Sequence, residues 1–269
     1  MYSGQELPAY LLSINAYLGA KGIVEALDAG ADIVLTGRVV DSALVLAPLV
    51  HEHRIAWDDW DRLAQASLAG HMVECGAQAT GGIFTDWEDV PGYENIGYPI
   101  VECHADGRFY VEKPADTGGL ISPAVIYEQL LYEIGDPSAY VLPDVVCDFR
   151  HVLAEACMDG RVLVHGSKGR APSPTYKVCA TYPDGYKVDA GVFLAGEDAA
   201  RKGERVARAL LTKIERLLVD RGKGPFRNTR IDVLGAESSY GPHSRARDTR
   251  EVVVRIAASH DDRDALKLL

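Results

Sequence analysis

The stretch Gly19-Ala-Lys-Gly-Ile-Val-Glu-Ala-Leu-Asp-Ala-Gly30, continued by Ala31-Asp-Ile-Val-Leu-Thr36, decides how the chain is read. Ile23, Val24 and Leu27 recur at helical spacing and Gly30 stops the pattern, so a helix is expected here. Asp32 to Thr36 is a short apolar run of strand length, and Tyr10 to Tyr17 upstream also reads as a strand. Strand, helix and strand make a β-α-β unit, which implies a parallel pair with a right-handed crossover. Ligands of open α/β sheets bind beyond the carboxyl ends of the strands. Thr36, Gly37 and Arg38 lie at such an end. The expected class is therefore α/β, opening with a partial doubly wound, Rossmann-like βα region.

Outward from this unit, Asp41 to Val50 reads as a helix with an acidic start, and Trp57 to His71 as another, with Trp60, Leu63, Ala64 and Leu68 on one stripe. Asp86 to Tyr98 is loop-like. Pro99 to Lys113 reads as a hairpin turning at Asp106-Gly107. Ser122 as N-cap and Pro123 as first helical residue open a helix carrying Val125, Ile126 and Leu130. Near Phe149 the βα rhythm stops, which divides the chain into residues 1–150 and 151–269. The second region is expected to be α+β. Its strands are Arg161–His165, Tyr176–Tyr182 and Tyr186–Leu194, the last two joined as a meander by Pro183-Asp184-Gly185. A long helix from Glu197 to Asp220 follows, then strands at Thr229–Leu234 and Glu251–Ala257.

Composition narrows the function. A net charge of -11 lacks the basic field that nucleic acid or an anionic membrane surface needs, so an anionic ligand must be held locally. Cys75, Cys103, Cys147, Cys157 and Cys179 are odd in number and free of any C-x-x-C pair, which indicates reduced thiols in the cytoplasm and no structural zinc. No apolar run reaches the ~18 residues of a membrane span, and no cofactor signature is present.

Chemistry is expected around Leu68 to Gly82. On a continuing helix His71, Glu74 and Cys75 fall at i, i+3 and i+4 and share one face. Gln78 follows, and Gly81 and Gly82 let backbone approach a ligand. Acid–base work by His71 or Glu74, a nucleophilic Cys75 assisted by His71, a metal site and a hydrogen-bonded core histidine are all compatible with this spacing. Two further stretches are candidates for binding an anion. Arg38 could clamp a carboxylate or phosphate while Asp41 orients it, or the two could form an internal ion pair. In Lys113 to Ser122, the donors of Thr117, Gly118 and Gly119 precede a helix start and Lys113 adds a charge.

Four stretches in order, Gly30 to Asp41, Ala69-Gly70-His71 to Gly82, Lys113 to Ser122, and Glu128 to Glu133 with Asp136-Pro137, resemble the acyclic terpene utilisation family. The resemblance implies a cytoplasmic, mainly bacterial α/β protein from pathways that degrade branched acids such as citronellic and geranic acid as coenzyme A thioesters. The expected ligand is a branched acyl-CoA or small anionic metabolite, with hydration, isomerisation or carbon–carbon cleavage as the expected reaction. The resemblance also implies a glycine-containing βα region ahead of Ser13, and further residues beyond Leu269, that this sequence does not carry. A homo-oligomer, or a heteromer with a chain supplying that region, is expected accordingly. A non-catalytic subunit or ligand-binding protein is the competing class.

Overall fold

The structure is a computed structural model and describes residues 6–246 and 248–269. The chain forms two compact units, one spanning Ser13–Thr181 and the other built on Tyr182–Leu269. The first contains β1 (Ser13–Ala16), α1 (Lys21–Asp28), α2 (Ala43–His53), α3 (Trp60–Val73), β2 (Ile100–Cys103), β3 (Phe109–Glu112) and α4 (Pro123–Leu131). It continues through β4 (Tyr140–Val141), β5 (Val146–Asp148), β6 (Leu153–Ala156), β7 (Val162–His165), β8 (Lys168–Arg170) and β9 (Val178–Thr181).

Helix α3 is the axis of this unit. Asp59 caps its start by accepting from the Arg62 amide, and Leu63, Leu68 and Met72 are fully buried beside Leu46 of α2 and Ile126 of α4. Gly70 sets the approach of α2, because a Cβ there would lie 2.8 Å from backbone atoms of Ser42. Beneath the helices lie a four-stranded sheet, β2-β3-β7-β6, and a three-stranded sheet, β4-β5-β8. Val111, Val162 and Val164 belong to the same core. Gln65 of α3 ties helix to strands from both ends of its amide: Nε2 donates to the Val164 carbonyl at 3.1 Å and Oε1 accepts from the Ser167 amide at 3.0 Å.

Local signals are borne out where they are strong. The hairpin turns at Asp106-Gly107, and Ser122 caps α4 with Pro123 in its first turn. The expected β-α-β unit requires correction. Helix α1 forms, but Asp32 to Thr36 makes no strand ladder, and every paired strand among the described residues is antiparallel. Among the described residues, parallel pairing is limited to two isolated bridges, Leu18 with Val39 and Ile96 with Gly118. A parallel strand needs cover on both faces. Here Val34 packs on the core while Ile33 and Leu35 are 83% and 95% exposed, so one face is satisfied and the other meets solvent. The architecture described is α+β with antiparallel sheets, and no Rossmann-like, doubly wound sheet is formed among the described residues.

The boundary between units also differs, lying at Thr181 rather than near residue 150. Strands β6 and β7 pair with each other and, through β7, with β3; β8 pairs with β5, and β9 returns to pair with β1. The expected meander across Pro183-Asp184-Gly185 is therefore not made.

The second unit holds β10 (Tyr186–Ala195), α5 (Ala199–Asp220), β11 (Asn228–Leu234), β12 (Glu251–His260) and α6 (Arg263–Leu266). Its sheet runs β10-β12-β11, antiparallel throughout. Gly203, Ala207, Leu211, Ile214 and Leu218 form the buried stripe of α5, which packs on Val252, Val254 and Ile256. No described helix is long and apolar enough to cross a membrane.

Candidate functional site

Helix α3 ends at Val73, so His71 sits in its last turn, Glu74 at its C-cap, and Cys75 at the start of the 3-10 turn Gly76–Thr80. His71 is only 1% exposed. Its Nδ1 shares a hydrogen bond with Glu74 Oε1 at 3.0 Å, and its Nε2 donates to the Gln129 carbonyl at 2.8 Å. Gln129 Nε2 donates back to the His71 carbonyl at 2.7 Å. Both ring nitrogens are therefore engaged within the protein, and Glu74, whose side chain keeps 14% of its surface, is the member of the pair open to a ligand. Burial pushes the Cys75 thiol up. The neighbouring Gln129 amide opposes this, and the charges of Glu74, Glu133 and Asp41 reinforce it. A thiol held this way is a weak nucleophile. Tyr140, 6.3 Å from the His71 ring, is pushed up to about 12 by its burial and by Glu74. Gln129 Oε1 and Gln78 Nε2 are sealed from solvent without partners.

The glycines beyond serve the turn itself. Gly81 has φ of 96° and donates to the Gln78 carbonyl. Gly82 donates to the Ala77 carbonyl, which a Cβ at position 82 would meet at 2.8 Å. The Lys113 to Ser122 segment is likewise bonded inward. Gly118 and Gly119 donate to the carbonyls of Asn95 and Pro91, Lys113 Nζ donates to the Thr117 carbonyl at 2.5 Å, and the Thr117 hydroxyl donates to the Pro114 carbonyl. Ser122 accepts from the Val125 amide. The amides of Gly118 and Gly119 are thus already taken by protein acceptors.

Open space gathers instead at Thr36 to Asp41. Arg38 and Asp41 approach to 3.7 Å, both well exposed; such a pair contributes at most ~1 kcal/mol and leaves the guanidinium available. The Arg38 guanidinium lies 5.0 Å from the Tyr17 ring centre, and Lys177 Nζ lies 4.9 Å from it. Thr36 to Val39 form a wall shared by two clefts. The smaller, about 450 Å³, is lined by Asn15, Arg38 and Asp41. The larger, about 630 Å³, has Lys21 and Arg38 as cations, with Val34, Trp57 and Tyr176 as apolar walls. A Cβ on Gly22 or Gly37 would meet nothing within 4 Å, so backbone faces the space at both positions.

Asp144 also lines the larger cleft, and sequence reasoning missed it. Its Oδ2 accepts from the Ala20 amide at 2.9 Å. Burial pushes its carboxyl above the usual range, and the Ala20 hydrogen bond only partly opposes this. A lone aspartate after Pro143 carries no motif; the signal was the bare Gly19 against which the carboxyl packs. Among the described residues no group of three or more His, Cys, Asp or Glu side chains is arranged to hold a metal ion.

The sequence matches the model of the acyclic terpene utilisation family protein AtuA over residues 3–269. No curated protein and no solved structure matches it. With nearly its whole length covered by that match, the chain belongs to the acyclic terpene utilisation family.

Proposed function

We propose that this protein binds a small branched carboxylic acid, free or as its coenzyme A thioester, in the cleft between Lys21 and Arg38. The observation that carries this reading is the pairing of two cations with apolar walls in one cleft of about 630 Å³, a size typical of small-molecule sites. Neither cation is neutralised by a close carboxylate: Lys21 forms no ion pair among the described residues, and Arg38 has only the long contact to Asp41. The apolar wall suits a hydrocarbon branch, and the cations suit a carboxylate or the phosphates of coenzyme A. Glu74 held by His71 and the neutral Cys75 thiol do not line this cleft, so in this reading they are a separate acid–base candidate and the cleft is assigned binding alone.

Calorimetric titration with 3-methylbutanoate and with its coenzyme A thioester tests the proposal. Lys21→Ala and Arg38→Ala should each weaken binding about tenfold, the scale of one charge-assisted hydrogen bond. Unchanged dissociation constants in both variants, or no binding by the native chain, would overturn it.

A second reading, a subunit completed by a strand of a partner chain, is favoured by one observation. The extended Asp32 to Thr36 run has no ladder and presents Ile33 and Leu35 outward, which is the form of an unpaired strand.

A further inference from the structure

The larger cleft contains one group that a site for a plain branched acid does not need. Asp144 projects a carboxylate into a space otherwise suited to an anion and a hydrocarbon. Oδ2 is satisfied by the Ala20 amide at the start of α1. For Oδ1 the described residues offer neither a hydrogen-bond donor nor a salt-bridge partner, although the atom is not sealed from the cleft. The carboxyl is held in place from behind. Gly19 lies against it so closely that a Cβ there would fall 2.2 Å from Oδ1, and the flanking Leu142 and Val145 are core residues. A partly desolvated carboxylate oxygen without a donor is unfavourable, and it gains most when a ligand supplies the missing hydrogen.

We infer that Asp144 is the specificity-determining residue of the cleft: its free oxygen accepts a hydrogen bond from a hydroxyl on the bound acid, so the preferred ligand class is a branched hydroxy acid. This rests on the cleft reading above and extends it. The ligand's own carboxylate is repelled by Asp144 and is drawn to Lys21 and Arg38. That fixes the orientation: anionic end toward the Lys21 ammonium and the Arg38 guanidinium, hydroxyl toward Asp144. A polar site of this kind discriminates more strongly than an apolar one, because a bound ligand lacking the hydroxyl covers the acceptor without supplying a donor.

The test compares three probes on the full chain: 3-methylbutanoate, its 3-hydroxy derivative and its 2-hydroxy derivative. At least one hydroxy acid should bind about tenfold more tightly than the parent. Asp144→Ala is the informative variant, since it removes the free acceptor without offering the ligand hydroxyl, which can itself accept, a new donor. The variant should bind the parent acid at least as well as the native chain and lose the preference for hydroxylation. Equal binding of all three probes by the native chain, a comparison that needs no variant, overturns the assignment of Asp144 and leaves the cleft standing. A preference retained in Asp144→Ala overturns it equally. No binding by any probe defeats the cleft reading itself, and this inference with it.

Discussion

His71 and Gln129 exchange hydrogen bonds in both directions across the α3–α4 contact: the ring Nε2 donates to the Gln129 carbonyl at 2.8 Å, and the Gln129 amide donates to the His71 carbonyl at 2.7 Å. Both residues are about 1% exposed. The pair links the end of one helix to the last turns of the next, and it fixes the ring that holds Glu74. Any acid–base role of Glu74 depends on this link.

His71→Ala removes one ring partner from each of two acceptors and leaves a cavity in a closed core. We expect a loss of roughly 2–4 kcal/mol, the range for breaking a buried network. Urea denaturation followed by far-ultraviolet circular dichroism measures it. His71→Asn, which can keep one donor, should recover part of the loss. A His71→Ala chain as stable as the native one would show that the exchange of bonds contributes nothing net.

Two glycines separate packing from conformational freedom. Gly70→Ala places a methyl group 2.8 Å from Ser42 backbone, which no side-chain rotation relieves; overpacking of this kind costs ~1–3 kcal/mol. Gly37→Ala meets open space and should melt with the native chain while weakening ligand binding by intruding on the cleft. Equal melting of both variants would refute the close crossing of α2 over α3.

The parts of this fold that were legible in the sequence are those decided within a few residues. Ser122-Pro123 announces a helix start, Asp106-Gly107 a hairpin turn, and Glu197 to Asp220 a long helix. The apolar spacing of that helix points Val206, Leu210, Ile214, Leu217 and Leu218 inward, whereas Val206 and Leu210 are exposed and Ala207 and Leu211 are buried. Asp32 to Thr36 shows the limit. The run has strand composition, but whether it pairs is settled by a neighbour, and composition does not report a neighbour. The pairing of β1 with β9, from Ser13 with Thr181 to Ala16 with Val178, is equally non-local, and it moved the boundary past residue 150. At the site, the clustering of His71 with Glu74 followed from helical spacing. The consumption of both ring nitrogens did not, because Gln129 arrives from 58 positions away. Asp144 meets Ala20 across 124 positions, with no spacing rule to reveal it.

The exposed run predicts association. Ile33 and Leu35 present apolar surface on a segment with no ladder, and such surface favours pairing with another chain. Light scattering at micromolar concentration should show a species larger than the monomer, with hydrophobic dye bound if partners are scarce. The double variant Ile33→Thr and Leu35→Thr should shift the population to monomer without loss of the cooperative melt. A native chain that is monomeric and takes up no dye would contradict this.

The last prediction follows from the sign of the Asp144 shift. Burial raises its carboxyl above the value of about 3.9 expected in the unfolded chain. Between that value and the folded one, the folded state keeps a proton that the unfolded state has released, so stability falls as pH rises through this window and stays lower above it. Asp144→Asn has no proton to lose and can keep the Ala20 hydrogen bond. Its melting temperature should therefore exceed that of the native chain at pH 7, and the difference should shrink toward zero near pH 3, where the carboxyl is protonated in both states. Scanning calorimetry at both pH values decides the matter. A variant less stable than the native chain at pH 7 would mean that the charged cap on α1 outweighs the burial, and that the carboxylate is kept for the helix rather than for a ligand. A variant more stable than the native chain is the pattern of a site that trades stability for recognition.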